Sequence, residues 1–293
     1  MTHRHVLVTN ADAGSADSGA IRRALDTLRS GGPVEVRPTS TPDELDTVVR
    51  ELDGRRLVVA GGDGSLHAAV NALHRAAALA DTVVGLIPLG TGNDLARTAD
   101  IPLDPVEAAR IVVSGKPTSH ELLEGLDDTV AINAVHIGIG AEAVRIGASA
   151  KKRLGPAGYP VGAAMAGVRF AGWDLDVTVD GEPQPRDGRV LMVGISVGRT
   201  IGGGAPLAPD AEVDDGLADV TVASSTGAVR RMRFAARLRN GEHRELRDVH
   251  TKRGREIVVS GDPVRANTDG EVSEERTRWT WTVQPHAWQL IHP

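Results

Sequence analysis

Two glycine-rich segments, separated by a predicted helix and strand, have the residue types of a phosphate-binding site. The first, Gly-Gly-Asp-Gly-Ser (61–65), follows the apolar run 57–60, and the second, Gly-Thr-Gly-Asn-Asp (90–94), follows the apolar run 83–88. A glycine turn after a buried strand lets backbone N–H groups approach an anion, and the N-terminus of the next helix adds partial positive charge. The spacing matches neither the P-loop nor the dinucleotide fingerprint. Two such turns could hold one triphosphate from both sides.

Asp63 is the one acidic side chain in the first segment. A carboxylate repels phosphate, so Asp63 would act there through a divalent cation or by orienting a donor. The alternative is an Asx turn or a helix cap, which aspartate supplies in many proteins. The local sequence leaves both roles open.

Strands and helices alternate up to about residue 115, which predicts a parallel sheet covered on both faces. Thr41 and Glu44 have the spacing of a capping box ahead of a helix that starts at Pro42. Ligands of such sheets lie at the carboxyl ends of the strands, where both glycine segments fall. The predicted strands are 5–9, 34–37, 57–60 and 83–88, and the predicted helices are 18–30, 42–52 and 66–80, with a further capped helix starting at Pro105.

After residue 119 the pattern changes to mostly strands, which predicts a second, β-rich domain. Trp279 and Trp281 lie on one face at a period of two in the last segment, 277–292, and core packing is their expected role. The predicted strands are 129–138, 174–179, 190–197, 218–223, 256–260 and 264–268, with helices around 143–173 and 227–240.

Composition is that of a globular enzyme rather than of a membrane or nucleic-acid-binding protein. The chain has 293 residues, 41% of them hydrophobic, and no cysteine, which excludes disulfides and thiolate metal sites. It shows neither a signal peptide nor an apolar stretch long enough to span a bilayer, so we expect it in the cytoplasm. A net charge of −6 and only seven aromatic residues (four Trp, two Phe, one Tyr) argue against nucleic acid as a partner.

The two glycine segments, in this order, resemble the catalytic domain of diacylglycerol kinases, particularly the soluble bacterial lipid kinases of that family. Three further motifs match: Ile-Asn to Ala-Glu (132–142), Gly-Gly-Gly to Asp-Asp-Gly (202–216) and Asp-Gly-Glu (269–271). The resemblance covers nearly the whole chain, and five motifs in order are far more specific than any one of them.

The resemblance implies an α/β N-terminal domain with a parallel sheet, like that of NAD kinases and phosphofructokinases, and a β-rich, sandwich-like C-terminal domain. It places the nucleotide-binding domain at residues 1–120, with 283–293 returning to it. The β-rich domain at 121–282 would carry the metal-binding and general-base residues.

The implied activity is ATP-dependent phosphorylation of the hydroxyl of diacylglycerol or a related lipid, giving a phosphatidic-acid-type product. Glu271 would be the base that accepts the hydroxyl proton, with Asp63 as a second catalytic residue, and a solvated acid in a hairpin turn is the alternative for Glu271. Mg²⁺ would bind Asp215 with main-chain oxygens of Glu212 and Leu217, and turn chemistry is the alternative for Asp215. The implied nucleotide contacts are Asn10, Thr39, Gly61, Gly62, Asp63, Gly64, Ser65, Leu66, His67, Gly90 and Thr91.

The chain departs from the usual family pattern at two places. The first loop has no Lys or Arg before Arg22, and the residues after the first glycine turn are His67-Ala68 where the family usually has Asn-Glu. These departures keep a non-catalytic nucleotide-binding regulator open as an alternative. Another lipid acceptor, such as a sphingoid base or phosphatidylglycerol, is the alternative among kinases.

Five arginines crowd the predicted helix 227–240, which could lie on an anionic membrane surface. A solvated basic face is the alternative. The expected partners are therefore ATP, a lipid acceptor and the inner face of the membrane, with a homodimer possible.

Overall fold

A computed structural model describes residues 3–10, 18–142, 171–224 and 227–293. The predicted helix around 143–173 lies outside these residues except at its end. There the chain is not helical, and Trp173 instead pairs with Val190 in an isolated β-bridge. Within the described part of the chain, no helix is long and apolar enough to cross a membrane.

The N-terminal part alternates strands and helices, as the sequence pattern predicts. Its elements are β1 (His5–Asn10), α1 (Ser18–Gly31), β2 (Val34–Thr39), α2 (Pro42–Arg50), β3 (Arg56–Gly61), α3 (Asp63–Arg75), β4 (Val83–Pro88), α4 (Asp94–Thr98) and α5 (Pro105–Ser114).

The remaining described elements are mainly strands. They are β5 (Lys116–Glu124), β6 (Val130–Ala131), β7 (Ala134–Gly138), β8 (Leu175–Val179), β9 (Glu182–Pro183), β10 (Val190–Ser196), β11 (Ala218–Ser224), α6 (Ala228–Leu238), β12 (Val249–Gly254), β13 (Glu256–Val264), β14 (Ala266–Thr268), β15 (Glu271–Val272) and β16 (Arg276–His292).

The first sheet has the order β2-β1-β3-β4-β16-β13-β8-β9, and β5 pairs with both β16 and β6. Strands β1 to β4 are parallel to one another, and the end of β16 joins them parallel to β4 through Gln289 and Leu290. Side chains alternate between the two faces of this sheet, as on any strand. Val6 and Val8 pack in one core, whereas Leu7 packs in another core with Leu28 of α1 and Val112 of α5.

The second sheet, β12-β11-β10-β7-β14-β15, is antiparallel throughout. A continuous core joins it to the first sheet: Val193 and Val220 of the second sheet are buried in one cluster with Val259 and Trp281 of the first. The fold is therefore an α/β N-terminal domain followed by a β-rich, sandwich-like C-terminal domain.

Local signals predicted helix starts better than helix ends. Thr41 and Glu44 form the expected capping box at α2. Helix α3, by contrast, spans Asp63–Arg75 rather than 66–80 and stops just before Ala77, which has a φ of 52°. A positive φ cannot continue a right-handed helix, so the apolar run beyond Arg75 forms a turn instead.

The predicted strand 129–138 is interrupted. The amide N–H groups of Ile132, Asn133 and Ala134 all donate to the carboxylate of Asp269, so β6 and β7 are separated at Ile132-Asn133. A buried carboxylate far along the chain thus takes the donors that a continuous strand would have used.

Candidate active site

The two glycine turns contact each other through their backbones. A Cβ atom at Gly62 would lie 2.9 Å from the Cα of Gly90, and the N–H of Leu89 donates to the carbonyl of Gly61 at 2.9 Å. Asn93, with a φ of 52°, closes the second turn, because its side chain accepts from the N–H of Gly90 at 3.0 Å and donates to its carbonyl at 2.7 Å. Only glycine fits at both contact points.

Asp63 caps the helix of the other turn. It is the first residue of α3, and its Oδ1 accepts the N–H of Leu95 near the start of α4 at 3.3 Å. Burial raises the pKa of Asp63 and the nearby Asp94 raises it further, while the amides of residues 93–95 oppose the shift. Asp63 therefore makes a capping hydrogen bond, which was the alternative to cation binding. Binding of a divalent cation by Asp63 stays a prediction.

Asp94 ties the second turn to the glycine-rich segment 202–204. Its buried carboxylate accepts from the Thr200 hydroxyl at 2.9 Å, from the N–H of Gly203 at 2.9 Å and from the N–H of Gly204 at 2.8 Å. Two motifs that are remote in sequence thus form one wall of the site.

A cleft of about 260 Å³ opens at the carboxyl ends of β1, β2 and β3. Four of the predicted nucleotide contacts line it: Asn10, Thr39, Gly64 and Ser65. The side chain of Leu66 instead belongs to the hydrophobic core. Residues that the sequence did not single out complete the wall: Val8, Ser40, Thr41, Pro42, Leu45, Val59, Ala60 and Ala68.

His67, on α3 of the N-terminal α/β part, contacts residues of the β-rich part. Its ring is buried, with Nε2 2.9 Å from the carbonyl oxygen of Val130 and 3.8 Å from Oδ2 of Asp269, and with Nδ1 3.8 Å from Oε1 of Glu271. Among the contacts that the structure records, the ring therefore faces residues of the β-rich part. The predicted nucleotide contact of His67 stays a prediction.

The Asp-Gly-Glu motif holds one buried and one exposed acid. Burial raises the pKa of Asp269, while His67 and the three amide donors of residues 132–134 act in the opposite direction. The Glu271 side chain is 80% exposed. Asp269 therefore anchors the turn, and the Glu271 side chain projects beyond it into solvent.

The loop predicted to bind Mg²⁺ is held by protein groups. Oδ1 of Asp215 accepts the N–H of Leu217 at 3.0 Å, and its Oδ2 forms an ion pair with Arg253, which also lies 3.3 Å from Asp219. Among the residues described, no cluster of three or more acidic or histidine side chains has the geometry of a metal site.

Glu121 is the residue at this loop that the sequence did not reveal. Its Oε2 accepts the N–H of Gly216 at 2.6 Å, whereas its Oε1 is buried without a hydrogen-bond partner. Burial raises the pKa of Glu121 to about 7, and Asp215 and Asp214 contribute in the same direction. A buried, unpaired carboxylate oxygen beside Asp215 is a donor type that suits a hard cation. Glu121 would supply one oxygen ligand to Mg²⁺, and Asp215 would supply another only in place of its ion pair with Arg253.

Glu121, Asp94 and Arg253 had no role in the sequence-based prediction. Asp94 belongs to the second glycine segment, and Glu121 lies in β5, whose sequence Lys-Pro-Thr-Ser-His-Glu-Leu-Leu-Glu does not indicate that this acid is buried. Neither sequence position indicates which residue the side chain of Asp94 or Glu121 contacts.

The fold and the two turns define a diacylglycerol kinase-type protein, and comparisons with known proteins agree. Residues 4–124 match the diacylglycerol kinase catalytic domain, and residues 133–292 match the YegS C-terminal NAD kinase beta sandwich-like domain. A protein of Stenotrophomonas maltophilia (strain K279a) named "Probable lipid kinase YegS-like" is 32% identical over 289 residues, covering 94% of this chain and 92% of its own length. A protein of the same name from Pseudomonas putida is 31% identical over 258 residues, covering 84% of each chain.

Solved structures agree at the level of the fold. A crystal structure of a diacylglycerol kinase from Bacillus anthracis str. Sterne covers 100% of this chain and 97% of its own, with a TM-score of 0.74 and 18% identity. Another structure from the same organism reaches a TM-score of 0.81 at 21% identity, with the same coverage. The chain therefore belongs to the YegS-like family of kinases, in which a diacylglycerol kinase catalytic domain is followed by the YegS C-terminal domain.

Proposed function

We propose that the protein is an ATP- and Mg²⁺-dependent lipid kinase that phosphorylates the hydroxyl of diacylglycerol or a closely related lipid, giving a phosphatidic-acid-type product. The observation that carries the proposal is the position of Glu271. Its exposed carboxylate lies 3.8 Å from His67, and His67 is on the helix that starts at the first glycine turn. A proton acceptor therefore stands beside the turn proposed to bind phosphate.

The chemistry requires this proximity. A hydroxyl that attacks a γ-phosphate becomes acidic only as the new bond forms, so the base must be within hydrogen-bond reach of the attacking oxygen. Glu271 is free to reach it, because its neighbour Asp269 carries the structural hydrogen bonds of the turn. A protein that only binds a nucleotide does not need such a carboxylate, which argues against the regulator alternative.

We propose that the cleft beside β1 to β3 holds the nucleotide. Its walls combine apolar side chains such as Val8 and Leu45 with the polar groups of Asn10, Thr39 and Ser65. The backbone N–H groups at the start of α3 would bind phosphate oxygens. Mg²⁺ would be held at Asp215, where it neutralises negative charge.

The acceptor lipid implies a protein that works at the inner face of the cytoplasmic membrane without spanning it. Diacylglycerol is the first acceptor to test, since the Bacillus anthracis structure of the same fold is called a diacylglycerol kinase and the base stands in an open position. A sphingoid base and phosphatidylglycerol present the same type of hydroxyl.

The test is transfer of labelled γ-phosphate from ATP, with Mg²⁺, to lipids in mixed micelles. Diacylglycerol, a sphingoid base and phosphatidylglycerol would be compared, with NAD and a fructose phosphate as controls. We expect labelled product from diacylglycerol that is lost in Glu271→Gln, while ATP binding measured by calorimetry is retained. Equal turnover by Glu271→Gln would remove Glu271 from the role of base, and product from another lipid alone would change the acceptor.

A further inference from the structure

Helix α6 carries the two most exposed large hydrophobic side chains among the described residues. Val229 is 74% exposed and Met232 is 63% exposed, whereas the other exposed large hydrophobic residues lie between 38% and 41%. Two large apolar side chains held in water on neighbouring turns are unfavourable unless something covers them.

The same helix is strongly basic. It contains Arg230, Arg231, Arg233 and Arg237, with Arg239 directly after it, and it has no acidic residue. Arg237 pairs with Glu242 and Glu245. For Arg230, Arg233 and Arg239, the described part of the chain supplies no recorded ion pair, so their charges face solvent. This patch is opposite in sign to the net charge of −6 of the whole chain.

The apolar and basic residues share one face of the helix. Phe234 points into the protein, where it is buried with Leu207 and Leu246. Val229 and Met232 are spaced by three residues, which places them on the same side of a helix, away from Phe234. Arg233 lies one turn from Val229 on this outward side. Arg239 is seven residues after Met232 and lies on the same side, whereas Arg230 is one turn before Phe234 and lies at the edge. We call the outward residues, Val229, Met232, Arg233 and Arg239, the α6 face.

We propose that the α6 face docks the protein on an anionic lipid bilayer. The apolar side chains would enter the interface between headgroups and acyl chains, while the arginines bind lipid phosphates, as in other amphipathic interfacial helices. The choice of a membrane rests on charge complementarity, and it depends on the proposed function in that the acceptor is a lipid.

The position of the helix links the α6 face to the active site. Phe234 and Leu207 are buried in the same hydrophobic cluster. Leu207 follows the segment whose amides, at Gly203 and Gly204, hold Asp94. Docking through α6 would therefore bring one wall of the site close to the bilayer that contains the acceptor.

Vesicle sedimentation of the full chain tests this proposal without ATP or a lipid acceptor. Vesicles of phosphatidylcholine would be compared with vesicles of equal parts phosphatidylcholine and phosphatidylglycerol, at low and high salt. We expect binding to the anionic vesicles only, weakened by salt because the charges are screened. Arg233→Gln with Arg239→Gln should weaken binding by about 30-fold, taking about 1 kcal/mol for each arginine, and Met232→Gln by roughly tenfold.

The matched control is Arg29→Gln with Arg110→Gln, which makes the same change in net charge on α1 and α5. These two arginines are exposed and pair with acids of their own helices, Asp26 and Glu107. The control should bind anionic vesicles like the unmodified protein. Equal losses in both double variants would mean that only net charge matters, and no binding by the unmodified protein would also overturn the proposal.

Two further measurements distinguish membrane docking from self-association and from the kinase activity itself. If Met232→Gln changes the mass of the protein measured by analytical ultracentrifugation without vesicles, the α6 face is a contact between copies of the chain, and the membrane proposal is wrong. Phosphate transfer to a short-chain acceptor in solution tests the kinase independently. Variants of the α6 face that lose vesicle binding but keep this transfer would support the membrane-docking proposal. Vesicle binding by a protein that shows no transfer would support membrane docking but overturn the proposed kinase function.

Discussion

His67 and Glu271 face each other across the junction between α3 and the β-rich part, with Nδ1 of the ring 3.8 Å from Oε1 of the carboxylate. The other ring nitrogen is 2.9 Å from the carbonyl oxygen of Val130. In a neutral ring, Nε2–H donates to that carbonyl, so Nδ1 presents a lone pair to Glu271. Once Glu271 has taken a proton, a side-chain movement of about 1 Å would bring its O–H within hydrogen-bond distance of this lone pair.

His67 should therefore assist Glu271, the proposed base. We expect His67→Ala to lower kcat by about tenfold, the value of one hydrogen bond of roughly 1.4 kcal/mol, with the Kd for ATP unchanged. His67→Asn, which restores the usual family residue and an amide, should recover most of kcat. A weaker affinity for ATP at constant kcat would contradict this role and make His67 a nucleotide contact.

Because the glycine turns contact each other, Gly90→Ala and Gly64→Ala should have opposite effects on the stability of the protein. A Cβ at Gly90 would lie 2.6 Å from the Cα of Gly62 and 2.8 Å from Oδ1 of Asn93. Gly90→Ala should therefore reduce the free energy of unfolding by about 1–3 kcal/mol, since backbone cannot move aside as a side chain can.

Gly64→Ala is the matched control. A Cβ there meets nothing within 4 Å, and the residue lies in α3. Alanine at a helical position is favoured over glycine by about 0.5–1 kcal/mol. Thermal unfolding should show Gly90→Ala below and Gly64→Ala at or above the unmodified protein. Equal melting temperatures for the two variants would mean that the turns do not touch.

Arg253 should compete with Mg²⁺ for Asp215. Without the guanidinium, Asp215 and Asp219 lose the positive group that both contact. We expect Arg253→Gln to be less stable than the unmodified protein in EDTA but to gain more stability as MgCl₂ is added, because ligand binding to the folded state raises the melting temperature. Arg110→Gln, which removes an exposed ion pair with Glu107 on α5, is the control. Equal responses of both variants to MgCl₂ would exclude a cation at Asp215.

His5 should make stability dependent on pH. Burial, with Arg56 nearby, lowers the pKa of His5 to about 4. Its ring is buried and its Nδ1 has no hydrogen-bond partner. Below the unfolded pKa of about 6.5, the unfolded chain takes up a proton that the folded protein does not accept until about pH 4. Stability is therefore fully present above pH 6.5 and falls as the pH drops towards 4.

The measurement is the free energy of unfolding in urea between pH 7.5 and pH 4.5. His5→Leu should reduce the slope by up to about 1.4 kcal/mol per pH unit, the value for one proton. Buried acids with raised pKa values, such as Asp63, have the opposite pH dependence, but they are present in both proteins and cancel in the comparison. An unchanged slope in His5→Leu would contradict the assignment.

The sequence predicted the elements of the fold better than their pairing. Alternation of apolar residues identified β1 to β4 and the helices between them, because each element buries its own face. The pairing of β16 with β4, β13 and β5 joins residues far apart in the chain, and no local pattern encodes such contacts. The break at Ile132-Asn133 has the same origin, since its cause is Asp269.

In the candidate active site, too, local features could be predicted from the sequence and long-range contacts could not. Glycine turns can be predicted because backbone approach requires glycine at particular positions, and Gly62 and Gly90 do make that approach. The roles of Asp94, Glu121 and Arg253 could not be predicted, because each depends on a partner that only the folded chain brings near.

Strand β16 contributes one tryptophan to each main core: Trp281 is buried in the cluster between the two sheets, and Trp288 is buried in the cluster beneath α3. Strand β16 pairs with β5 on both sides of a register shift between Gln284 and Trp288, so rotation of one half against the other would break pairs of this ladder. The two halves therefore lack a free hinge at this point, and they should unfold together in one cooperative transition. Entry of a substrate would then depend on movements of loops rather than on separation of the halves.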